Sequence, residues 1–293
     1  MKTKFKTKSM VLLGLLTALI MVFSMTPIGS IPVGPLVITL NVVPVAIAAI
    51  ALGPIGGAAM GAVFGLFSFL QCFGIGVLSP MGEALANIDP VLAFIQRFVP
   101  RVLDGFLVGL IFNAITKIKS LKGYYVVTGV ISALFGLALF ISAMMLVGYE
   151  KGAKYNMSPD MYDLMTSGGL IAYICAFVGV LCFIIGYQIV SSKKLSRTQV
   201  ACSIAGFFSA LLNTIFFMSA LVLLFGNTEY MKEEINGKNV ILFIVTFVGV
   251  NALFEMVIAT LVSGAVGNAL AKAKLIDLPV SEENSQKSKK NNK

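Results

Sequence analysis

Long apolar blocks separated by short polar segments dominate the sequence. Eight such blocks can be marked: 10–25, 36–52, 54–73, 95–116, 125–148, 168–190, 200–225 and 240–271. Most are close to the roughly 20 residues that an α-helix needs to cross a hydrocarbon layer about 30 Å thick. Helices satisfy their own backbone hydrogen bonds, as a bilayer requires. The pattern therefore predicts an all-α polytopic membrane protein with eight transmembrane helices.

The blocks form one predicted transmembrane domain, residues 1–278, followed by a polar and low-complexity tail, 279–293, that we expect to be disordered. The loop 26–35 is rich in proline and glycine and is expected to be irregular, at the membrane surface. The first block follows four lysines as a signal peptide would. It lacks a small-residue cleavage site, so we interpret it as a retained helix.

Basic residues indicate the orientation of the chain. With eight helices and a cytoplasmic N-terminus, 16 of the 22 Lys and Arg residues fall on the cytoplasmic side. This asymmetry follows the positive-inside rule. An odd number of helices would place one basic terminus outside. The sequence therefore predicts a multi-pass protein of the cell membrane with both termini in the cytoplasm.

Composition excludes several classes of protein. The chain is 58% hydrophobic and only 12% charged, and its mean hydropathy is +0.94. Its net charge is +9, and the basic residues lie between and beyond the apolar blocks. This distribution favours a role in membrane topology and lipid contact over nucleic-acid binding. It has no histidine, so a Ser-His-Asp triad and an HExxH zinc site are impossible, and its four cysteines lack metal-site spacing. No phosphate-binding loop is present. We expect neither an enzyme nor a cofactor, and any ATP hydrolysis would need another chain.

Small residues recur every four positions at the start of the third block. Gly53, Gly57, Gly61 and Gly65 would share one helix face and let another backbone approach closely. We call these four residues the glycine stripe. Either internal packing or docking of a partner would explain it. The first block carries a shorter version, Gly14-x-x-x-Ala18.

Polar residues deep inside apolar blocks are expensive and are candidates for function. Glu255, with Asn251 one turn earlier, lies near the middle of the last block, and Asn213 and Thr214 near the middle of the seventh. They could bind one another as interhelical polar contacts, or they could line a ligand cavity.

A second polar group lies at the outer end of the fourth block. It contains Gln96, Arg97, Arg101 and Asp104, of which Arg97 and Arg101 stack one turn apart. The arginines could extend to the membrane surface, with Arg101 paired to Asp104. Alternatively, they form a guanidinium fork that binds a carboxylate or phosphate.

Several stretches together resemble the substrate-binding (S) components of energy-coupling factor (ECF) vitamin transporters. They are Gly14-x-x-x-Ala18, TPIGSIPVGPLVITLN ending at Asn41, VPVAIAAIALGPIGGAAMGAVFG ending at Gly65, FVPRVLDGFLVG over 98–109, LLNT over 211–214 and NALFE over 251–255. The resemblance covers about 1–120 and 200–272.

The resemblance implies a six-helix bundle that holds one vitamin near the outer face, beneath the loop after the first helix. Asn41, at the end of the matching stretch after that helix, therefore joins Gln96, Arg97, Arg101, Asn213, Thr214, Asn251 and Glu255 as a candidate substrate-binding residue. The implied partners are a shared membrane subunit and two ATPase subunits, and Gly14 and Ala18 match the face that contacts the shared subunit.

The blocks within 125–190 have no counterpart in that resemblance and are interpreted as an inserted pair of helices. The overall pattern looks most like the pantothenate-type branch. The alternative hypothesis is a stand-alone secondary transporter that couples transport to a proton on Glu255.

Overall fold

The computed structural model describes residues 7–33, 36–118, 197–235, 240–273 and 275. Its helices are α1 (Thr7–Met25), α2 (Val42–Leu70), α3 (Pro80–Ile88), α4 (Pro90–Thr116), α5 (Arg197–Phe225), α6 (Glu229–Ile235) and α7 (Val240–Lys272), with a 3₁₀ turn at Gln71–Phe73. Strands β1 (Ser30–Val33) and β2 (Leu36–Thr39) pair antiparallel. The predicted inserted pair, 125–190, and the predicted tail, 279–293, lie outside the described residues.

The described part is a helical membrane protein, as the apolar blocks predict. Four segments within it are long and apolar enough to cross a membrane: Thr7–Met25, Val42–Phe73, Pro90–Thr116 and Thr198–Phe225. The observed α4 and α5 contain the predicted blocks 95–116 and 200–225, and α7 contains 240–271. The total of eight helices remains a prediction.

Helix α2 is broken at Gly53, where φ is +73° and ψ is −167°. A Cβ built on Gly57 would lie 2.9 Å from the Cβ of Ala49, eight residues earlier, whereas a straight helix would separate these positions by about 12 Å. The limbs 42–52 and 54–70 therefore fold back against each other. Pro54 opens the second limb, where its missing N–H costs no helical bond. The predicted break between the second and third blocks is present.

The segment 26–41 corrects two expectations. Residues 30–33 were expected to be irregular and 36–39 to begin a membrane helix, but the two stretches form a hairpin in which Ile31 lies opposite Ile38 and Ser30 opposite Thr39. The cause is local: β2 reads Leu-Val-Ile-Thr, and β-branched residues favour strands. Pro32 is tolerated in β1 because both strands of a two-stranded sheet are edges.

Three of the four stripe glycines lie against α4. A Cβ on Gly57 would overlap the carbonyl oxygen of Gly105, and one on Gly61 that of Arg101, while one on Gly65 would lie 2.9 Å from Phe98 Cα. The stripe therefore lets two backbones meet, as expected of such spacing. Gly53 is the exception. It was expected on the packing face, but it has a positive φ, and a Cβ there would meet no described atom within 4 Å. Its role is the turn.

The long helices and the two limbs of α2 alternate in direction. α1 ends beside the end of the second α2 limb, where Gln71 Nε2 donates to the Ser24 carbonyl oxygen (2.9 Å). At the opposite end, Gly267 of α7 contacts Cys202 of α5, which clusters with Ile115 near the end of α4. α1 therefore begins, and α7 ends, at the same end of the bundle. The other end, where the hairpin, α3 and α6 lie, is called the pocket end below.

Candidate functional site

A cavity opens at the pocket end between α4, α5, α7, the second limb of α2 and the hairpin. Its empty space, including the part open to solvent, is about 590 Å³. Polar and aromatic side chains predominate in its lining: Val37, Thr39, Phe64, Ser68, Gln71, Ser79, Arg97, Arg101, Asn213, Thr214, Phe217 and Glu255. We call this cavity the pocket.

Arg97 is buried and is held on both sides by hydroxyl groups. Its Nη1 donates to Ser68 Oγ (3.2 Å) on α2, and its Nη2 donates to Ser79 Oγ (3.0 Å). Ser79 is also the N-cap of α3, since its Oγ accepts from the Gly82 amide (3.3 Å). One guanidinium group therefore ties the start of α3 to α2 and α4.

Arg101 lies one turn further along α4, where the surrounding groups are mainly aromatic. Its guanidinium carbon lies 4.4 Å from the ring centroid of Phe217 and 5.1 Å from that of Phe64. Both distances are within the range of cation–π attraction. The hydrogen bond that the structure gives it is from Nη1 to the carbonyl oxygen of Gln96, at 3.4 Å. Arg101 is thus positioned mostly by stacking, which leaves N–H groups for a ligand.

Glu255 joins the pocket from α7 and contacts the hairpin. Its Oε1 accepts a hydrogen bond from the backbone amide of Thr39 (2.8 Å), and its side chain is 6% exposed. A carboxylate can accept further bonds at its second oxygen. Glu255 therefore connects the pocket to the segment that covers it.

A buried polar network fastens the hairpin to α1 and α2. Asn41 Nδ2 donates to Ser24 Oγ (2.9 Å), Gln71 Nε2 contacts Ser30 Oγ (3.3 Å), and Ser30 Oγ donates to the Phe23 carbonyl oxygen (2.9 Å). The four polar side chains of this network are buried. Because the same hairpin carries Thr39, its position is set by α1, α2 and α7 together.

Several buried polar atoms near the pocket have no hydrogen-bond partner within the described part of the chain. Among the pocket-lining residues they are Arg97 Nε, Arg101 Nε and Asn213 Oδ1. Buried donors and acceptors are usually paired, because an unmade bond costs about 1–3 kcal/mol. A polar ligand in the pocket would satisfy such atoms.

Five of the eight candidate binding residues come together in the pocket: Arg97, Arg101, Asn213, Thr214 and Glu255. Asn41 and Gln96 do not line it. Asn41 is fully buried in the network around Ser24, and Gln96 Nε2 points to the carbonyl oxygen of Phe217 at 3.5 Å. Asn251 lies on α7, but its side chain falls outside the described residues.

The expected pair between Arg101 and Asp104 is also corrected. Asp104 Oδ2 instead lies 3.2 Å from Ser209 Oγ on α5, and its Oδ1 is without a hydrogen-bond partner in the described segments. Both side chains are buried rather than extended to the membrane surface. The reason is the close contact of α4 with α2 and α5, which keeps this face of α4 away from solvent.

The remaining pocket-lining residues were not anticipated from the sequence. Thr39, Gln71 and Ser79 lie in the hairpin, the 3₁₀ turn and the cap of α3, where a polar residue is unremarkable in sequence. Phe64 and Phe217 are two of 22 phenylalanines. Helical spacing is the signal that could have identified the two phenylalanines, because Phe217 follows Asn213 by one turn and Phe64 precedes Ser68 by one turn.

Gly14 and Ala18 lie away from the pocket, on an exposed face of α1. A Cβ on Gly14 would meet no described atom within 4 Å. Large apolar side chains continue this face: Met10, Val11, Leu15, Met21, Val22 and Met25 are all exposed. We call these eight residues the α1 face. Nothing in the described part of the chain covers it.

Comparison with known families identifies the chain. A family model described as "ECF transporter, substrate-specific component" matches residues 8–162, which is over half of the chain. The match includes α1, the hairpin, α2 and α4, and it continues through the predicted block at 125–148, which the sequence analysis assigned to an insertion. No curated protein matches the sequence. The chain belongs to the family of substrate-specific components of ECF transporters.

Proposed function

We propose that this chain captures a small water-soluble vitamin in the pocket and delivers it through a shared ECF membrane subunit, driven by two ATPase subunits. The observation that carries the proposal is the pocket itself. It combines two buried arginines, a buried carboxylate and polar atoms that the described residues leave unpaired with a short covering hairpin. Family membership supports a substrate-binding role rather than an enzymatic one.

Pantothenate is the vitamin that we propose. It carries one carboxylate, which suits a guanidinium group, and several hydroxyl and amide groups, which suit Asn213, Thr214 and Glu255. The two aromatic rings beside Arg101 would contact its methyl-bearing carbon chain. A cationic vitamin would fit the pocket less well than pantothenate, because its positive charge would lie beside two arginines.

The α1 face is the surface that we propose for docking on the shared membrane subunit. Gly14 and Ala18 would let a partner helix approach closely, as small residues do in membranes. This proposal places both chain termini in the cytoplasm and the pocket at the outer face of the cell membrane. The inserted pair at 125–190 remains a prediction.

The direct test is binding by the purified chain. Mass spectrometry of the molecule that co-purifies with it should identify pantothenate, and adding pantothenate to ligand-free protein should raise its melting midpoint. A panel of the other B vitamins serves as control. If none of them, pantothenate included, stabilises the chain, the proposed function is wrong.

The alternative, a proton-coupled transporter that uses Glu255, makes a different prediction. It requires uptake into vesicles driven by a pH gradient without ATPase subunits, and loss of that uptake in Glu255→Gln. Our proposal predicts no such uptake by the chain alone.

A further inference from the structure

The two arginines of the pocket differ in how far the protein already satisfies them. Both terminal nitrogens of Arg97 donate to serine hydroxyls, at 3.2 Å and 3.0 Å. Among the described residues, Arg101 has a single long bond, 3.4 Å, to a carbonyl on its own helix. A guanidinium group can donate five N–H bonds, so Arg101 keeps most of its capacity.

Arg97 cannot turn toward a ligand without a cost to the surrounding structure. Its bonds to Ser68 and Ser79 would break, and Ser79 is the cap that starts α3. Helix α3 is also closely packed on it, since a Cβ on Gly82 would lie 2.5 Å from Arg97 Nη2. Arg97 therefore acts as a positioning residue that holds Ser79, which lines the pocket, and with it the start of α3.

Arg101 is prepared for binding an anion. The rings of Phe217 and Phe64 lie 4.4 Å and 5.1 Å from its guanidinium carbon, and they attract the charge without using its N–H groups. The Phe217 ring lies further from Arg97, at 5.5 Å from its guanidinium carbon. The Nε of Arg101, like that of Arg97, is buried, and the described residues supply it with no hydrogen-bond acceptor. A carboxylate could accept two parallel bonds from such a group.

The charged groups that line the pocket favour an anionic ligand. Two guanidinium groups, those of Arg97 and Arg101, line it against one carboxyl group, that of Glu255, and all three are buried. The carboxyl group of Asp104 is also buried, one turn along α4 from Arg101, but it does not line the pocket. Since uncompensated buried charge is costly, a ligand carboxylate gives the guanidinium groups a partner that a neutral ligand lacks.

We infer that the pocket prefers small carboxylates to their neutral analogues, that Arg101 binds the carboxylate, and that Arg97 contributes by fixing the start of α3. This inference rests on the proposed function. It adds the charge class of the substrate to that function. It also assigns different roles to Arg97 and Arg101, which the sequence could group only as one guanidinium fork.

Matched acid and neutral compounds test the charge class. The dissociation constants of pantothenate and panthenol are measured, together with those of nicotinate and nicotinamide and of biotin and biotinamide. The bound acid should exceed its neutral partner in affinity by at least about tenfold, the effect of one charge-assisted hydrogen bond.

These outcomes separate the two proposals. If none of the compounds binds, the proposed function fails and the inference fails with it. If a neutral partner binds as tightly as the acid, the pocket still binds a ligand, but the preference for a carboxylate is refuted.

The matched variants Arg101→Gln and Arg97→Gln test the division of work. The measured quantity is the ratio of the affinity for the acid to the affinity for its neutral partner. Binding of the neutral partner also shows that the pocket of the variant is folded. Arg101→Gln should reduce the ratio at least about tenfold, and Arg101→Lys should restore part of it. Arg97→Gln should lower the melting midpoint and change the ratio by less than about threefold.

An equal loss of the ratio in both variants would show that both arginines bind the anion and would overturn the assignment. If Arg101→Gln binds neither the acid nor its neutral partner, the affinity ratio is measured in Arg101→Lys instead. The assignment is also overturned if Arg101→Lys keeps the ratio within threefold of wild type while Arg97→Gln reduces it tenfold.

Discussion

The contact between α2 and α4 leaves no room for a single methyl group at Gly61. A Cβ there would overlap the carbonyl oxygen of Arg101 and would lie 2.8 Å from the Arg101 carbonyl carbon and 3.2 Å from Val102 Cα. All of these atoms are backbone, so no side chain can rotate away. In Gly61→Ala the two helices must separate.

The expected size of the effect follows from two opposing terms. Overpacking a well-packed interior costs about 1–3 kcal/mol. Alanine favours helix over glycine by about 1 kcal/mol, which offsets part of that cost. Because the clash is with backbone, we expect a net loss of about 1–2 kcal/mol. Ligand affinity should fall as well, since the displaced residue is Arg101.

The assay is thermal unfolding of the purified chain in detergent. Gly14→Ala is the matched control, because it is also a glycine within a helix and its new methyl group would meet no described atom within 4 Å. Gly61→Ala should lower the melting midpoint by several degrees, while Gly14→Ala should leave it unchanged or raise it. If Gly61→Ala is as stable as Gly14→Ala, the proposed close backbone contact is wrong.

Three further predictions follow from other contacts. Gly53→Ala forces a side chain into a positive φ and should cost about 1–3 kcal/mol of stability, measured by the same unfolding assay; no loss would contradict the turn. Glu255→Ala removes the acceptor of the Thr39 amide and should speed ligand dissociation in stopped-flow measurements more than Glu255→Gln, which keeps an acceptor; equal rates would argue against this contact holding the hairpin. Gly14→Leu and Ala18→Leu should preserve ligand binding but abolish uptake by the complete transporter; loss of binding as well would indicate misfolding.

The helical part of the fold could be predicted because hydrocarbon imposes a length and an apolar composition on each crossing segment. This constraint does not distinguish a strand from a helix in a short apolar run. Residues 36–39 are as apolar as the helix that follows, so their pairing with 30–33 was missed. Likewise, the four-residue spacing predicted a packed face but could not show that Gly53 is the turn itself.

The deep polar residues of the pocket could be predicted because a charge or amide inside a membrane needs a partner or a function. That reasoning found Glu255 and Asn213, while Arg101 came from the separate polar group at the outer end of the fourth block. It could not show that they share one cavity, because helix order and rotation depend on tertiary packing. It also grouped Arg97 with Arg101, since only the contacts of Ser68 and Ser79 distinguish them.

The central claim is that this chain holds its cargo and that other subunits supply the energy for transport. Liposomes that contain the chain alone, supplied with radiolabelled pantothenate and a pH gradient, test it most directly. The account predicts binding without uphill accumulation, and accumulation only after the shared membrane subunit, the ATPase subunits and ATP are added. Uphill accumulation by the chain alone would contradict it.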